Sequence, residues 1–281
     1  MTGDDAVEAK AAALLATVRE TGPVAVAYSG GADSALVVAA GVRALGTGGV
    51  LAVTGVSESL AAGELTAARA VAEALGVTHV AAPTQELSSP GYQANSRDRC
   101  YFCTSEVLDT IAAVAREHGF EQVATGTNAD DAVDPFRPGI RAGRERAILT
   151  PLRDTGLGKA DVRAVSRLWG LSTWDKPATP CLASRIRYGI PVTGQRLARV
   201  DRAEKAVRAA LDRAGLWSVH LRVRDLGDTV RVELDAATVP AASGLVALTE
   251  AVARAGFGAA PVEVDGFASG RLDHERPQDL G

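Results

Sequence analysis

The sequence predicts an α/β protein, in which a parallel sheet covered by helices is followed by a smaller α+β domain. Short apolar runs alternate with amphipathic segments over the first two thirds of the chain, which is typical of parallel strands joined by crossover helices. Between Trp174 and Gly189 the composition changes to a loop-like stretch rich in Pro, Ser and Gly. After Pro191 apolar residues alternate singly with polar ones, as in a half-exposed antiparallel pair.

The predicted elements follow from these periodicities. Strands are expected at residues 24–28, 50–53, 77–82, 122–125, 220–224, 230–234 and 262–264. Helices are expected at residues 6–21, 33–45, 61–75, 105–118, 158–169, 194–214 and 239–255. We therefore predict a parallel-sheet α/β domain at 1–189, an α+β domain at 190–267 and a polar, frayed tail at 268–281.

Length and composition exclude several classes of protein. With 281 residues and 47% hydrophobic content, the chain can bury a substantial core. The chain has no run of 18 apolar residues and its N-terminus is acidic, so we expect a cytoplasmic protein without a membrane anchor. The formal net charge of -4 argues against a general nucleic-acid binder, although a local basic groove remains open.

The strongest motif is a glycine-containing loop between a predicted strand and a predicted helix, Ser29-Gly30-Gly31-Ala32-Asp33-Ser34. Glycines allow a phosphate to approach the backbone closely, and the N-terminus of the helix favours an anion. No Gly-x-x-x-x-Gly-Lys-Ser/Thr element occurs, so the lysine that would reach a γ-phosphate is missing. The loop therefore suits pyrophosphate release from ATP better than γ-phosphate transfer. An ordinary strand-to-helix turn is the structural alternative.

A second polar segment ends the strand predicted at 122–125, Gly126-Thr127-Asn128-Ala129-Asp130-Asp131. Because the carboxyl ends of parallel strands share one edge, this segment should face the same crevice as the glycine loop. Adjacent carboxylates at a phosphate site indicate Mg²⁺ held through water and substrate oxygens. A helix-capping Asn-Asp turn would have the same sequence.

Three cysteines, Cys100, Cys103 and Cys181, form the third constellation. A Cys-x-x-Cys pair and one distant cysteine make a poor disulfide framework, and neighbouring arginines would lower the pKa of the thiols. The four histidines show no metal-binding spacing that would complete a zinc site. Three thiolates match a four-iron four-sulfur cluster with one open iron. Buried structural thiols and a Cys100/Cys103 redox pair remain alternatives.

The SGGADS loop resembles the SGGxDS loop of the pyrophosphate-loop ATP hydrolases, which form AMP and pyrophosphate while activating a substrate. Over nearly the whole chain, RCYFC, GTNADDAVDPFRPGIRAG and WDKPATPCLASRIRYG resemble the ATP-dependent sulfur transferase family LarE. The resemblance implies a Rossmann-like pyrophosphate-loop (HUP-type) domain. It also implies sulfur insertion into pyridinium-3,5-biscarboxylic acid mononucleotide, a precursor of the nickel-pincer nucleotide cofactor.

In that family the cysteine matching Cys181 is the sulfur donor. It is either sacrificed or, where a Cys-x-x-Cys accompanies it, joined to an iron-sulfur cluster, and this chain has the three-cysteine form. The resemblance further implies a homo-oligomer, an external sulfur source if turnover is catalytic, and site roles for Ser184, Arg185, Glu204 and Asp235.

Further cations are candidates for binding the substrate. Guanidinium groups bind phosphate and carboxylate bidentately, so we expect such a role for Arg185 and for Arg137, Arg141 and Arg144. Solvated surface arginines are the alternative. Lys176 is a candidate for stabilising transition-state charge, whereas Trp174 is expected to serve packing.

Three other functions compete with this one. A tRNA-thiolating enzyme would also join a pyrophosphate loop to cysteines, but the acidic balance counts against tRNA as a partner. Ammonia-dependent synthetases have no need of three cysteines. A non-catalytic nucleotide-binding or electron-transfer module would have no use for the acidic residues of TNADD or for the Cys181 segment.

Overall fold

A computed structural model describes residues 3–132 and 138–274 of the chain. The protein is α/β and divides into two compact units. The N-terminal unit comprises Met1–Ser57, Ala62–Glu86 and Cys100–Thr179, and the C-terminal unit comprises Glu58–Ala61, Leu87–Arg99 and Pro180–Gly281. The division thus falls before the predicted position at Gly189, and two short earlier segments belong to the C-terminal unit.

The described strands form two sheets. In the N-terminal unit they are β1 (Val24–Ala27), β2 (Val50–Val56), β3 (Thr78–Pro83) and β4 (Gln122–Thr125). These run parallel in the order β3-β2-β1-β4, as the strand and helix alternation predicted. In the C-terminal unit they are β5 (Leu221–Asp225), β6 (Val230–Leu234) and β7 (Val262–Gly266). There β5 and β6 are antiparallel, and β7 pairs parallel with β6.

The helices of the described residues are numbered in chain order. They are α1 (Gly3–Thr21), α2 (Ala32–Leu45), α3 (Glu64–Ala74), α4 (Pro90–Gln93), α5 (Arg99–Glu117), α6 (Ala129–Ala132) and α7 (Pro138–Glu145). They continue with α8 (Pro151–Asp154), α9 (Lys159–Leu168), α10 (Gly194–Arg213), α11 (Val239–Ala242), α12 (Val246–Val252) and α13 (Arg271–His274). Short 3₁₀ turns occur at Thr47–Gly49, Glu86–Ser88 and Leu182–Arg185.

Side-chain alternation along β1 builds the two cores of the N-terminal unit. Val24 and Val26 pack in the cluster that includes α1, α2 and α9, whereas Ala25 packs in the cluster that includes α5. Both faces of the parallel sheet are therefore covered, which explains why its strands are continuous apolar runs. Within the described residues, none of the helices is both long and apolar enough to cross a membrane.

The strands of the C-terminal unit are more buried than the predicted half-exposed pair. Arg224 of β5 and Glu233 of β6 are 8% and 0% exposed along their side chains, and they form a salt bridge of 2.8 Å. Asp225 is fully buried and accepts hydrogen bonds from Arg196 and Arg199 of α10. Each buried charge has an opposite partner, so polar alternation did not indicate solvent exposure here.

Three other sequence predictions differ from the structure. Helix α5 begins at Arg99 rather than at residue 105, so it includes the Cys-x-x-Cys pair. The helix predicted at 239–255 is interrupted at Gly244, between α11 and α12. The start of the predicted tail contains α13, whose Leu272 is buried, while residues 275–281 lie outside the described part of the chain.

Candidate functional site

The SGGADS loop joins β1 to α2 and is held by its own hydroxyl groups. The backbone N–H of Ser29 donates to Ser34 Oγ at 3.2 Å, and the N–H of Gly31 donates to Ser29 Oγ at 3.3 Å. Ser34 Oγ in turn donates to the Gly31 carbonyl at 3.3 Å. The first turn of α2 leaves backbone N–H groups without intrahelical acceptors, and this is the local geometry that binds an anion.

The TNADD segment lies against this loop, as its position at the end of β4 predicted. Asn128 is fully buried and its Nδ2 donates to Asp33 Oδ1 at 3.0 Å. Asn128 Oδ1 accepts from the N–H of Asp131 at 3.1 Å, which fixes the amide so that its donor group points to Asp33. The structure therefore brings Asp33, Asn128 and Asp131 together.

Electrostatics favour a cation beside these residues. Burial raises the pKa of Asp33, the Asn128 hydrogen bond opposes this, and the nearby charge of Asp131 raises the pKa further. A carboxylate that is costly to ionise and lies near another carboxylate gains from a divalent cation. Among the described residues Asp33 and Asp131 supply two carboxylates, so Mg²⁺ would use water and phosphate oxygens to complete its octahedron, which is the usual way it is bound.

Asp130 contacts the start of α9 instead. Its Oδ2 accepts from the backbone N–H of Lys159 at 2.7 Å, and Lys159 Nζ lies 3.5 Å from Asp131 Oδ1. A Cβ on Gly158 would lie 2.8 Å from Asp130 Oδ1, so this approach requires glycine. The ammonium of Lys159 thereby places positive charge beside the two carboxylates of the site.

Gly126 allows the end of β4 to touch the start of α2. A Cβ at this position would lie 2.6 Å from the backbone nitrogen of Ser34 and 3.0 Å from Asp33 Cβ. Such distances are far inside van der Waals contact, so any larger residue must displace the SGGADS loop.

Cys100 and Cys103 lie one turn apart near the start of α5. Cys100 is exposed, Cys103 is partly buried, and neither forms a disulfide. Cys103 Sγ lies 3.8 Å from Oε1 of Glu86, a buried carboxylate that also accepts from Ser57 and Thr84 hydroxyls at 3.1 Å and 3.0 Å. Glu86 had no motif to mark it in the sequence, since its position is set by the end of β3.

Cys181 precedes the 3₁₀ turn Leu182–Arg185 in the C-terminal unit. Ser184 Oγ donates to the Cys181 carbonyl at 2.7 Å. Arg185 is 1% exposed, and its Nη1 donates to the carbonyls of Pro180 and Cys181 at 2.5 Å and 3.1 Å. Glu204 of α10 pairs with Arg185 at 2.9 Å and also accepts from the N–H of Val223. Arg185, Ser184 and Glu204 thus hold the backbone on both sides of the Cys181 thiol.

Two further arginines hold the same turn. Arg224 Nη1 donates to the Ser184 carbonyl at 2.9 Å, and Arg99 Nη1 donates to the Ala183 carbonyl at 3.1 Å. The arginines next to the cysteines in sequence were expected to lower the pKa of the thiols, yet the guanidinium of Arg99 is engaged with Asn95, Ala183 and the Tyr188 ring. Burial, followed by repulsion from Arg185, lowers the pKa of nearby Arg222 to about 10. This concentration of guanidinium groups favours anions around the Cys181 segment.

Asp235 lies at the end of β6 and organises the start of β5. Its carboxylate accepts from the backbone N–H groups of Val219 and His220 and from His220 Nδ1, the last at 2.7 Å. Burial raises the pKa of Asp235, but these hydrogen bonds outweigh it and the pKa lies below its ordinary value. The Asp235 carboxylate therefore fixes the backbone at Val219 and His220, just before β5.

The other predicted cations are distributed as follows. Arg141 of α7 lies over the Tyr101 ring at 4.3 Å, and Arg144 is exposed. Arg137 lies outside the described residues. Lys176 contacts the SGGADS loop, and Arg167 lies over the ring of Trp174, consistent with packing.

The three cysteines supply the type of ligand that the predicted iron-sulfur cluster requires. None of the three cysteines forms a disulfide, and three thiolates are the donor set for a four-iron cluster with one open iron. Cys100 and Cys103 belong to the N-terminal unit, whereas Cys181 belongs to the C-terminal unit. Among residues 3–132 and 138–274, no three His, Cys, Asp or Glu side chains are grouped to hold one metal ion. The cluster therefore stays a prediction.

Comparison with known proteins identifies the family. An uncharacterized protein from Synechocystis sp. is 41% identical over 251 residues, which cover 88% of this chain and 91% of that protein. The pyridinium-3,5-bisthiocarboxylic acid mononucleotide synthase of Lactiplantibacillus plantarum is 31% identical over 268 residues, covering 94% of each chain. The chain belongs to the LarE family of such synthases.

The match to the LarE synthase covers both units described above, because neither unit fits within the remaining few per cent of the chain. An uncharacterized protein from Methanocaldococcus jannaschii is 26% identical over 141 residues, about half of each chain. No family model matches the chain. The assignment to LarE therefore rests on whole-chain similarity to individual relatives.

Proposed function

We propose that this chain is an enzyme that inserts sulfur in the synthesis of pyridinium-3,5-bisthiocarboxylic acid mononucleotide, towards the nickel-pincer nucleotide cofactor. The observation that carries the proposal is the 31% identity, over 94% of both chains, to a protein bearing that synthase name. The substrate would be the corresponding biscarboxylic acid mononucleotide, since sulfur must replace a carboxylate oxygen.

The first step proposed is adenylation at the SGGADS loop. A substrate carboxylate oxygen attacks the α-phosphorus of ATP, an acyl adenylate forms and pyrophosphate leaves. The nucleotide would be bound by the loop residues Ser29, Gly30, Gly31, Asp33 and Ser34. The TNADD segment and the glycine before it, which contact this loop, would contribute Gly126, Asn128, Asp130 and Asp131. Asp33 and Asp131 fit the Mg²⁺ that would accompany ATP, because burial and the nearby charge of Asp131 raise the pKa of Asp33.

The second step proposed is attack by sulfur on the activated carbonyl carbon. A carbon–sulfur bond forms, and AMP departs with the former carboxylate oxygen. In the sacrificial route the Cα proton of Cys181 is then removed and its Cβ–Sγ bond breaks, which leaves dehydroalanine and releases the product thiocarboxylate. A cluster held by Cys100, Cys103 and Cys181 would instead supply sulfide at its open iron, and an external sulfur source would then replenish it.

The residues around Cys181 suit this step. Arg185 and Ser184 hold the Cys181 carbonyl, and Glu204 orients Arg185, so the thiol is presented from a fixed turn. Arginines near the acyl phosphate would stabilise the charge that develops there, a contribution that can reach about 3 kcal/mol per donor in a dry site.

The nucleotide chemistry is tested by identifying the products of ATP. With substrate present, we expect AMP and pyrophosphate in equal amounts, measured by anion-exchange chromatography. Release of ADP and phosphate would contradict the proposal.

The sulfur donor is tested with Cys181→Ala. This variant should lose sulfur transfer and still form AMP in the presence of substrate, whereas Cys100→Ala and Cys103→Ala should lose both iron and turnover. Ser243→Ala, at an exposed helix end, is the matched control. Mass spectrometry that finds dehydroalanine at Cys181 in an iron-free protein would select the sacrificial route. Normal sulfur delivery by Cys181→Ala would refute the assignment of the donor.

A further inference from the structure

Helix α3 supports the SGGADS loop from one side. The hydroxyl of Tyr28, the residue before the loop, donates to the Ala68 carbonyl at 3.1 Å. Burial raises the pKa of Tyr28 to about 12, so this hydroxyl keeps its proton and its role as a donor. Gly30 has φ +72°, and a Cβ on it would lie 2.8 Å from Ala68 Cβ. The loop backbone therefore lies directly on α3.

Lys176 reaches the same place from a distant part of the chain. Its Nζ donates to the Gly30 carbonyl at 3.0 Å and to Glu64 Oε2, at the start of α3, at 2.8 Å. The side chains of Lys176 and Glu64 are 22% and 21% exposed, so the ion pair retains access to water. An ammonium group thus lies within one hydrogen bond of the loop backbone.

The loop itself contains no cation. SGGADS carries one carboxylate and two hydroxyls, whereas ATP and pyrophosphate each carry several negative charges. Backbone N–H groups and a helix terminus offset part of that charge, and a lysine placed at the loop would offset more. Lys176 lacks the sequence spacing of a Walker lysine, because it lies 146 residues after Gly30.

We propose that Lys176 is the phosphate-binding cation of the SGGADS loop, and that Glu64 holds its ammonium there until ATP or pyrophosphate displaces the carboxylate. This inference rests on the proposed adenylation. The exchange is inexpensive, because a partly exposed carboxylate–ammonium pair contributes little stability and phosphate offers more charge to the same ammonium.

The test is direct binding of Mg²⁺-pyrophosphate and of AMP to the full chain, measured by isothermal titration calorimetry without substrate. Lys176→Met should weaken pyrophosphate binding about tenfold or more while AMP binding stays within about twofold. Lys176→Arg should retain most of the pyrophosphate affinity, because the charge remains. Unchanged AMP binding also shows that the variant is folded. Lys205→Met, which removes an exposed lysine paired with Asp201 on α10, is the matched control.

The variant Glu64→Gln distinguishes two roles of the Lys176–Glu64 pair. Either Lys176 binds phosphate, or the pair only holds the loop in place. If Glu64 only holds Lys176 in reserve, removing its charge should leave pyrophosphate affinity unchanged or tighter. If Glu64→Gln weakens binding as much as Lys176→Met does, the pair only braces the loop and the inference is wrong. Equal pyrophosphate binding by Lys176→Met and the unmodified chain overturns the inference and leaves the proposed function intact. A chain that binds neither ATP nor pyrophosphate would refute both.

Discussion

At the scale of single residues, the ionised carboxylate of Asp33 lowers the free energy of unfolding, and a role in binding a cation would explain its presence. Its carboxyl lies at the start of α2 with Asn128 and Asp131, and burial raises its pKa. A carboxyl whose pKa is higher in the folded state binds more protons there than in the unfolded state. The free energy of unfolding therefore falls as pH rises from the unfolded pKa of Asp33 through the folded one.

We expect Asp33→Asn to raise the melting temperature at pH 7 and to abolish ATP cleavage. The amide keeps an oxygen that can accept from Asn128, and it removes the partly buried charge beside Asp131. Thermal unfolding at pH 4 and pH 7 checks the sign, since the gain should shrink at the lower pH. If Asp33→Asn is destabilised at pH 7, the expectation is wrong, because groups of the protein itself would then stabilise the charge of Asp33 without a bound cation.

Sequence patterns predicted that the SGGADS and TNADD segments lie together, but not which other residues contact them. Ser29 to Ser34 and Asn128 to Asp131 were predicted to face one crevice, because parallel strands end at one edge, and the contact between Asn128 and Asp33 agrees with that. Glu86 and Glu64 carried no signal, since Ser57 and Cys103 lie 29 and 17 residues from Glu86 and Lys176 lies 112 residues from Glu64. Arg99 was assigned to the thiols from proximity in sequence, yet a side chain on a helix reaches residues one turn away or in other segments.

At the scale of elements, the approach of β4 to α2 depends on Gly126. We expect Gly126→Ala to destabilise the fold by about 1–3 kcal/mol, as overpacking does, because the added methyl lies 2.6 Å from the Ser34 nitrogen. It should also weaken ATP binding, since relief of the clash must move the loop. Urea denaturation and nucleotide titration measure the two effects.

Gly48→Ala is the matched control for this change. Nothing lies within 4 Å of a Cβ at Gly48, so this variant should match the parent chain in both measurements. Loss of stability without loss of ATP binding in Gly126→Ala would show that the start of α2 can shift while the loop keeps its function.

Element boundaries were predicted least well where tertiary contacts decide them. Periodicity placed the start of α5 at residue 105, but the helix begins at Arg99, whose side chain is held by Asn95 and Ala183. The alternation in β5 and β6 indicated a half-exposed pair, whereas Arg224 and Glu233 are buried together. In both cases the arginine has a specific partner from another segment.

At the scale of the whole molecule, association remains a prediction. Trp217 and Val246 of the C-terminal unit are 71% and 70% exposed, and large apolar side chains in that state are candidates for subunit contacts. Multi-angle light scattering should give a mass that is a multiple of one chain. Trp217→Glu should lower that mass, whereas Leu168→Glu, at a 50% exposed position in the N-terminal unit, should not. A strict monomer would contradict the prediction.

The interleaving of the two units has a consequence for synthesis on the ribosome. Asn95, fully buried with φ 53°, donates to the carbonyls of Arg187 and Ile190, which follow it by 92 and 95 residues. At about 5–20 residues per second, the nascent segment Leu87–Arg99 waits roughly 5–20 s for these acceptors to be made. No single cleavage frees either unit, and the segment 180–281 expressed alone would lack the amide and guanidinium that satisfy its own carbonyls.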